Sequence, residues 1–170
     1  MKLLRELQQI YPIAATNSNP NNTSHSKKVY STRVTSSNNS DMVYTIRGLV
    51  LPLHVHSTTS DDEEISAALG YVTHLVFMIG KYLDIPLRYT LVCHPSRSHI
   101  LSDIGFTYYG NMLPLYKDRD VDKLQLDRGI ALLERNIDCL LHMRGIVDQN
   151  IDQQPKHMLA KLIQIYRQYN

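Results

Sequence analysis

The sequence predicts an α+β fold in which long amphipathic helices pack on a small, mostly antiparallel β-sheet. Apolar residues recur at helical spacing over 65–83 and again over 126–141, which is the pattern of helices with one buried face. Runs rich in β-branched and aromatic residues at about 43–51 and 87–94 are short enough to be strands. The resulting order of strand, helix, strands, helix, helix is typical of helices layered on a small sheet.

Length, charge and hydropathy argue against several classes of protein. The chain has 170 residues, which suits one domain with a substantial core. Its net charge of +2 and the lack of a stripe of Lys or Arg argue against nucleic acid as a partner. No apolar run reaches the roughly 18 residues of a membrane span, and the first residues lack the regions of a signal peptide. The two cysteines, Cys93 and Cys139, indicate reduced thiols of a cytosolic protein.

The first 52 residues are predicted to hold a short helix, an insertion and a strand. The apolar residues of the helix are Leu3, Leu4, Leu7 and Ile10. Their spacing predicts a helix over 2–11 that stops at Pro12, either at the domain edge or as the end of a longer coiled coil. The segment at about 16–41 is rich in Asn, Ser and Thr, so we expect a mobile insertion there. One weak strand is expected within it, at Val29, Tyr30 and Val34. Pro52 should end the strand at 43–51.

A capping box is predicted to open the first long helix. The Ser60 hydroxyl can accept from the amide three residues on, and Glu63 can reach back to the Ser60 amide. The segment 84–86 ends this helix at a proline. The strand at 87–94 then has one clearly more apolar face, formed by Leu87, Tyr89, Leu91 and Cys93.

The C-terminal half is predicted to hold short strands and two more helices. Short strands or extended pieces are expected at 98–101, 106–109 and 112–116. A second long helix is expected over 121–144, with Gly145 as its stop. Pro155 suits the first turn of a last helix.

Candidate reactive residues are few and do not match known catalytic spacings. His54 and His56 could share one face and hold a metal, but no third ligand stands at a diagnostic spacing. Cys93 and His94 would point to opposite faces of a strand, so they cannot pair directly. We therefore expect no enzyme and no cofactor. The alternative is a small soluble enzyme that uses His74, Cys93 or the His54/His56 pair.

Two short stretches suggest ligand contact. The turn at 95–99 places hydroxyls around a guanidinium, where a phosphate or carboxylate could bind, although a solvated loop is the plainer interpretation. Its candidate residues are Ser96, Arg97 and Ser98. The stretch at 105–110 brackets aromatic residues with glycines and is either a membrane-contacting finger or a strand. Its aromatic residues are Phe106, Tyr108 and Tyr109.

Phe77 does not fit the buried face of the first long helix. At about 100° per residue, the core face is formed by Ile65, Leu69, Val72, Val76, Ile79 and Leu83. His74 falls at the border of this face, where a half-exposed imidazole is ordinary. Phe77 lies opposite, with Gly70, Thr73 and Gly80, small residues that let another element approach closely. We expect Phe77 to be covered by this domain or by a partner chain.

Several phrases, in order, resemble the UV-radiation-resistance-associated family. They are "LLRELQQIYPI", "YTIRGLVLP", "ALGYVTHLVFMIGKYLDIPLRY", "SRS", "LPLY" and "KLQLDRGIALLERNIDCLL". The resemblance covers most of 2–145 and is to the C-terminal domain of that family. It implies a BARA-like domain over 13–170, made of β-sheets and α-helices, with 1–12 as the end of a coiled-coil helix. It offers no counterpart for the aromatic residues at 106–109.

The resemblance also implies a function and a set of partners. The family member is a non-catalytic subunit of the class III phosphatidylinositol 3-kinase complex in endosomal sorting and autophagy. Its implied partners are a Beclin-type subunit, the lipid kinase catalytic subunit and a pseudokinase-bearing regulatory subunit. The implied location is cytoplasmic and peripheral on endosomal membranes. The autophagy-specific sister subunit is an alternative that this domain separates poorly. The partner-contacting residues we predict are Leu3, Leu4, Leu7 and Phe77.

Overall fold

The computed structural model describes residues 2–17, 42–55, 61–102, 112–146 and 155–168. Within them the helices are α1 (Lys2–Ile10), α2 (Asp62–Leu83), α3 (Lys123–Met143) and α4 (Met158–Arg167). The strands are β1 (Ile13–Asn17), β2 (Met42–Ile46), β3 (Leu49–Val50), β4 (Leu91–Val92), β5 (His99–Leu101) and β6 (Met112–Pro114). The predicted α+β class is confirmed.

The described strands form two small antiparallel sheets, each followed by a long helix. The first sheet has the order β1-β2-β3 and the second the order β4-β5-β6. In the first, Ile13 pairs with Ile46; in the second, Leu91 pairs with Ile100. Helix α2 follows the first sheet and α3 the second. The chain thus uses one unit twice, a three-stranded antiparallel sheet and then a helix that packs near it.

Helix α2 supplies much of the core. Five residues of its predicted apolar face have no exposed surface: Ile65, Leu69, Val72, Val76 and Ile79. Burying such side chains stabilises the fold by roughly 1.5–3 kcal/mol each. The helix begins one residue later than predicted, because the carboxylate of Asp61 accepts from the Glu63 amide at 3.1 Å. Ser60 lies outside the described residues. The helix ends at Asp84 in the left-handed conformation.

The strand predicted at 43–51 is a hairpin. Arg47 and Gly48 both have positive φ, at 51° and 80°, as the central residues of a type I′ turn do. The β-branched and aromatic residues predicted one continuous strand, and Arg is not a usual residue at such a turn. Strand β1 was also missed: it extends into 16–17, which we assigned to the insertion. The weak strand at 29–34, the strand at 106–109 and the rest of the insertion lie outside the described residues.

Other boundaries differ by a few residues. The strand predicted at 87–94 is reduced to Leu91–Val92. The extended pieces predicted at 98–101 and 112–116 are β5 and β6. Helix α3 begins two residues later and ends one residue earlier than predicted. Gly145 follows it with φ of 67°, the usual conformation of a glycine stop.

Helix α4 begins three residues after Pro155, not at it, because His157 caps the helix. His157 is buried, its ring lies 4.4 Å from that of Tyr44, and its Nδ1 accepts from the Leu159 amide at 3.1 Å. Its Nε2 donates to the Leu51 carbonyl at 2.8 Å. This pattern requires a neutral imidazole, and burial lowers the pKa of His157. The histidine therefore joins α4 to the first sheet.

Candidate interaction surfaces

One half of the apolar face of helix α1 packs on the domain, and the other half is partly exposed. Leu4, Leu7 and Tyr11 are 2%, 3% and 7% exposed, against α2 and α4. Leu3 and Ile10 are about half exposed, at 49% and 50%, and lie near each other because seven residues make almost two turns. Of the predicted contact leucines, Leu3 alone is open to another chain in this arrangement. We call Leu3 and Ile10 the α1 edge.

Polar and aromatic contacts fix α1 against α2. The Tyr11 hydroxyl shares a hydrogen bond with Nδ1 of His74. The Arg47 guanidinium donates to the Ile10 carbonyl at 3.2 Å and lies 5.1 Å from the ring centre of Tyr71. His74 is half-buried, as expected for the border of the apolar face. His74 contacts Tyr11, directly after α1, so it links α2 to the end of α1.

The other candidate reactive residues do not form a common site. Burial raises the pKa of the Cys93 thiol, which is the opposite of the shift that activates a thiolate. His54 is exposed, and His56 lies outside the described residues. No group of three or more potential metal ligands occurs in the part of the chain that the structure describes.

The turn at 95–99 uses its polar groups internally. Ser98 is fully buried, and its hydroxyl donates to the His94 carbonyl at 2.6 Å and accepts from the His94 amide at 3.0 Å. Arg97 forms a surface ion pair with Asp118 at 2.8 Å. Ser96 is exposed. The side chains of Ser98 and Arg97 thus have partners within the domain, and anion binding here stays a prediction.

Gly70 and Gly80 allow other parts of the chain to lie against α2, as their spacing predicted. A Cβ on Gly70 would lie 1.9 Å from the carbonyl oxygen of Pro95, a distance that no real structure tolerates. A Cβ on Gly80 would lie 3.1 Å from the Leu87 side chain. The face of α2 that carries Phe77 is therefore covered in part by the domain's own chain.

Phe77 is half-buried at one wall of a groove. The groove has a volume of about 620 Å³ and lies between the end of α2 and the segment that leads into β4. The ammonium group of Lys81 is 5.4 Å from the centre of the Phe77 ring. Leu87 and Tyr89 also line the groove. We call this the Phe77 groove.

Asn136 of α3 holds the segment that forms the other wall. Its Oδ1 accepts from the Tyr89 amide at 3.0 Å, and its Nδ2 donates to the Tyr89 carbonyl at 2.9 Å. Asn136 is fully buried. We did not single it out, although a polar residue beside Leu133 and Ile137 on the apolar face of a predicted helix was a signal. Because Asn136 takes both backbone groups of Tyr89, they are not available for a strand ladder, and the strand predicted at 87–94 is short.

The predicted membrane finger lies outside the described residues. This applies to Phe106, Tyr108 and Tyr109 alike. In the described part of the chain, no helix combines the length and apolar character that crossing a bilayer requires.

These features define an α+β domain whose notable exposed elements, within the described residues, are an apolar helix edge and a groove. Comparison with known proteins identifies its family. The family described as "Vacuolar sorting 38 and autophagy-related subunit 14" matches residues 1–105, and the chain belongs to it. The predicted resemblance to the UV-radiation-resistance-associated proteins is confirmed as well.

Three relatives illustrate the similarity. The chain is 34% identical over 147 residues to the UV radiation resistance-associated protein of Mus musculus, an alignment that covers 85% of this chain and 18% of that protein. It is 33% identical over 112 residues to the UV radiation resistance-associated gene protein of Drosophila melanogaster, covering 57% and 16%. It is 29% identical over 130 residues to the Vacuolar protein sorting-associated protein 38 of Schizosaccharomyces pombe, covering 76% and 26%. The chain thus matches between about a sixth and a quarter of the length of these relatives.

Proposed function

We propose that this chain is a non-catalytic interaction domain of a class III phosphatidylinositol 3-kinase complex subunit. It pairs with a Beclin-type subunit and helps to orient the complex on endosomal membranes in sorting and autophagy. The lipid kinase and its pseudokinase-bearing regulatory subunit complete the assembly. The observation that carries this proposal is the 34% identity to a UV radiation resistance-associated protein over 85% of the chain.

The packing of α1 supports a role in pairing. Leu4 and Leu7 fasten the helix to the core, while Leu3 and Ile10 remain half exposed. A helix held in this way has a fixed direction, so a coiled-coil partner would be held at a fixed place beside the domain. The α1 edge supplies the apolar contact for that partner, and residues 1–12 are the end of the coiled coil in this proposal.

Non-catalytic action is supported by the surroundings of the reactive residues. Cys93 would need a lowered thiol pKa to act as a nucleophile, whereas burial raises the pKa of this thiol. Nδ1 of His74 is engaged by Tyr11. A soluble enzyme built on these residues remains the alternative from another class, and it would need a pocket that joins two of them.

The names of the relatives favour the endosomal subunit over its autophagy-specific sister. The three relatives above carry UV radiation resistance-associated or vacuolar protein sorting names, although the family description includes both branches. We place the chain on the cytoplasmic side, peripheral to endosomal membranes. Membrane contact through Phe106, Tyr108 and Tyr109 belongs to this proposal, and liposome flotation with all three changed to Asp tests it.

Co-purification tests the proposed function. The full-length protein, expressed with an affinity tag, is expected to bring down a Beclin-type subunit and the lipid kinase. The double substitution Leu3→Ser with Ile10→Ser should weaken this recovery, because it removes exposed apolar surface without disturbing the buried leucines. The matched control is Arg5→Ser with Gln9→Ser, on the opposite, exposed side of α1.

Two results would count against this function. If the unaltered protein recovers neither the Beclin-type chain nor the kinase, the proposal is wrong. If the two double variants behave alike, pairing does not use the α1 edge.

A further inference from the structure

Positively charged side chains lie in and beside the Phe77 groove. Lys81 lies 5.4 Å from the Phe77 ring, and the Arg88 guanidinium lies 5.5 Å from the Tyr89 ring. The Arg135 guanidinium donates to the Tyr89 hydroxyl at 3.4 Å. Both rings line the groove. One cation, Lys81, therefore lines the groove, and two guanidinium groups lie against Tyr89, an aromatic residue of its wall.

Positive charge exceeds negative charge in and beside the groove. The charged lining residues are Lys81 and Asp84, one of each sign, and the exposed Arg88 and Arg135 beside Tyr89 add positive charge. Among the described residues, none of the three forms an ion pair, whereas Arg97 and Lys117 each have a carboxylate partner. Cations in this position are available to make charge-assisted hydrogen bonds with the carboxylates of another molecule.

The groove is preformed. The left-handed Asp84 ends α2, and the Ile85 amide donates to the Gly80 carbonyl at 2.9 Å. Farther along, Asn136 takes both backbone groups of Tyr89. Because both ends of this wall are fixed before any ligand arrives, binding would cost little conformational entropy. The groove is open along the surface and has a volume of about 620 Å³, so an extended segment of chain can lie in it.

We propose that the Phe77 groove binds an acidic, partly apolar polypeptide segment from another subunit of the complex. Carboxylates of that segment contact Lys81, Arg88 and Arg135, and an apolar side chain packs on Phe77. The inference rests on the proposed function, since it takes the occupant from that complex. A concave site fits a polypeptide better than a lipid bilayer, which is contacted by surfaces that project into it.

Zero-length cross-linking on the unaltered complex tests the chemistry of the occupant. A carbodiimide joins an amine only to a carboxylate in direct contact, so we expect mass spectrometry to find Lys81 joined to an Asp or Glu of another subunit. The variant Lys81→Glu with Arg88→Glu should bind the partner subunits about tenfold more weakly at low salt. The difference should narrow as salt is raised, because screening weakens exposed charge pairs.

The matched control is Arg119→Glu with Lys123→Glu, which changes the same charge at two exposed residues outside the groove lining. An aromatic pair of variants completes the set. Phe77→Ala should also weaken binding, while Tyr82→Ala should not, since Tyr82 is an exposed aromatic residue on the same helix but is not part of the groove lining.

Four results overturn the groove inference. The first is a complex that forms normally with no cross-link at Lys81 and no effect of Lys81→Glu with Arg88→Glu. The second is an equal loss with the control charge variant. The third is cross-linking of Lys81 only to a second, isotope-labelled copy of this chain. The fourth is loss of flotation on phosphatidylserine vesicles with unchanged subunit affinity. Failure of the unaltered protein to recover its partners is a separate result, which defeats the proposed function itself.

Discussion

Replacing Asn136 tests the link between the buried core and the groove. This one side chain satisfies the amide and the carbonyl of Tyr89, and it is fully buried. In Asn136→Ala both backbone groups lose their partner. A buried polar group without a partner costs about 1–3 kcal/mol, so the two together cost about 2–6 kcal/mol, and the void adds to this. Domains are commonly stable by only about 5–15 kcal/mol, so the loss should be large.

Equilibrium denaturant unfolding followed by far-UV circular dichroism measures this change. The chain has no Trp and 11 Tyr, so tyrosine fluorescence provides the second probe. The two probes should report the same midpoint if unfolding is two-state. An Asn136→Ala variant whose free energy of unfolding falls by less than about 1 kcal/mol would refute the reasoning.

The variant Asn136→Asp separates hydrogen bonding from packing. Asp keeps the shape and the acceptor but, when ionised, offers no donor to the Tyr89 carbonyl. Burial should raise its pKa in the folded state above the ordinary value of about 3.9. A raised acid pKa means that the variant is most stable at low pH and loses stability as pH rises from about 4 to the folded pKa. Gln125→Glu, the same chemical change at an exposed position of α3, should show no such loss, and identical pH profiles would contradict the role of Asn136.

Two further predictions concern the glycine contacts and the cap of α4. Gly70→Ala should lower the melting temperature far more than Gly80→Ala. A Cβ at position 70 would lie 1.9 Å from the Pro95 carbonyl oxygen, whereas a Cβ at position 80 would lie 3.1 Å from a flexible leucine side chain. Equal melting temperatures of the two variants would contradict the close approach at Gly70. His157 has a lowered pKa because it is buried, so its contribution to stability is present above the unfolded pKa of about 6.5 and is lost as pH falls toward the folded value. The free energy of unfolding of the unaltered chain should therefore fall more steeply below pH 6.5 than that of His157→Asn. The difference in slope should be at most about 1.4 kcal/mol per pH unit. If the free energies of the two proteins change in parallel with pH over this range, His157 is not a neutral cap.

The helices could be predicted because their signals are local. The apolar period of α2 gave its core face, and Gly70 and Gly80 indicated where other chain segments approach it. The strands were harder, because two or three residues of ladder are decided by a partner strand that the local sequence does not name. The turn at Arg47 and Gly48 is an example. The pairing of β2 with β3 holds Arg47 at a φ of 51°, a conformation that an arginine does not favour by itself.

The candidate surfaces likewise include features that the sequence indicates and features that only the folded chain creates. The unusual position of Phe77 was visible in the sequence, since it departs from a regular period. The sequence did not separate Leu3 from Leu4 and Leu7, and only the structure shows that Leu3 is half exposed while the other two are buried. The groove beside Phe77 was not visible in the sequence, because its far wall is held by a residue 47 positions away. The anion-binding turn illustrates the converse. Its composition suggested a ligand, and the fold supplied internal partners for Ser98 and Arg97.

By itself, then, the sequence determined the fold class, the buried faces of the long helices and the family, because each depends on short-range spacing or on phrases in order. Only the tertiary structure decided that Asn136 fixes the wall of the groove and that His157 joins α4 to the first sheet across 106 positions. Both are buried polar side chains that must find a partner, since an unpaired one is costly. The identity of that partner depends on which backbone groups the folded chain brings within about 3 Å of the side chain. The separation of two residues along the sequence does not predict whether they come that close.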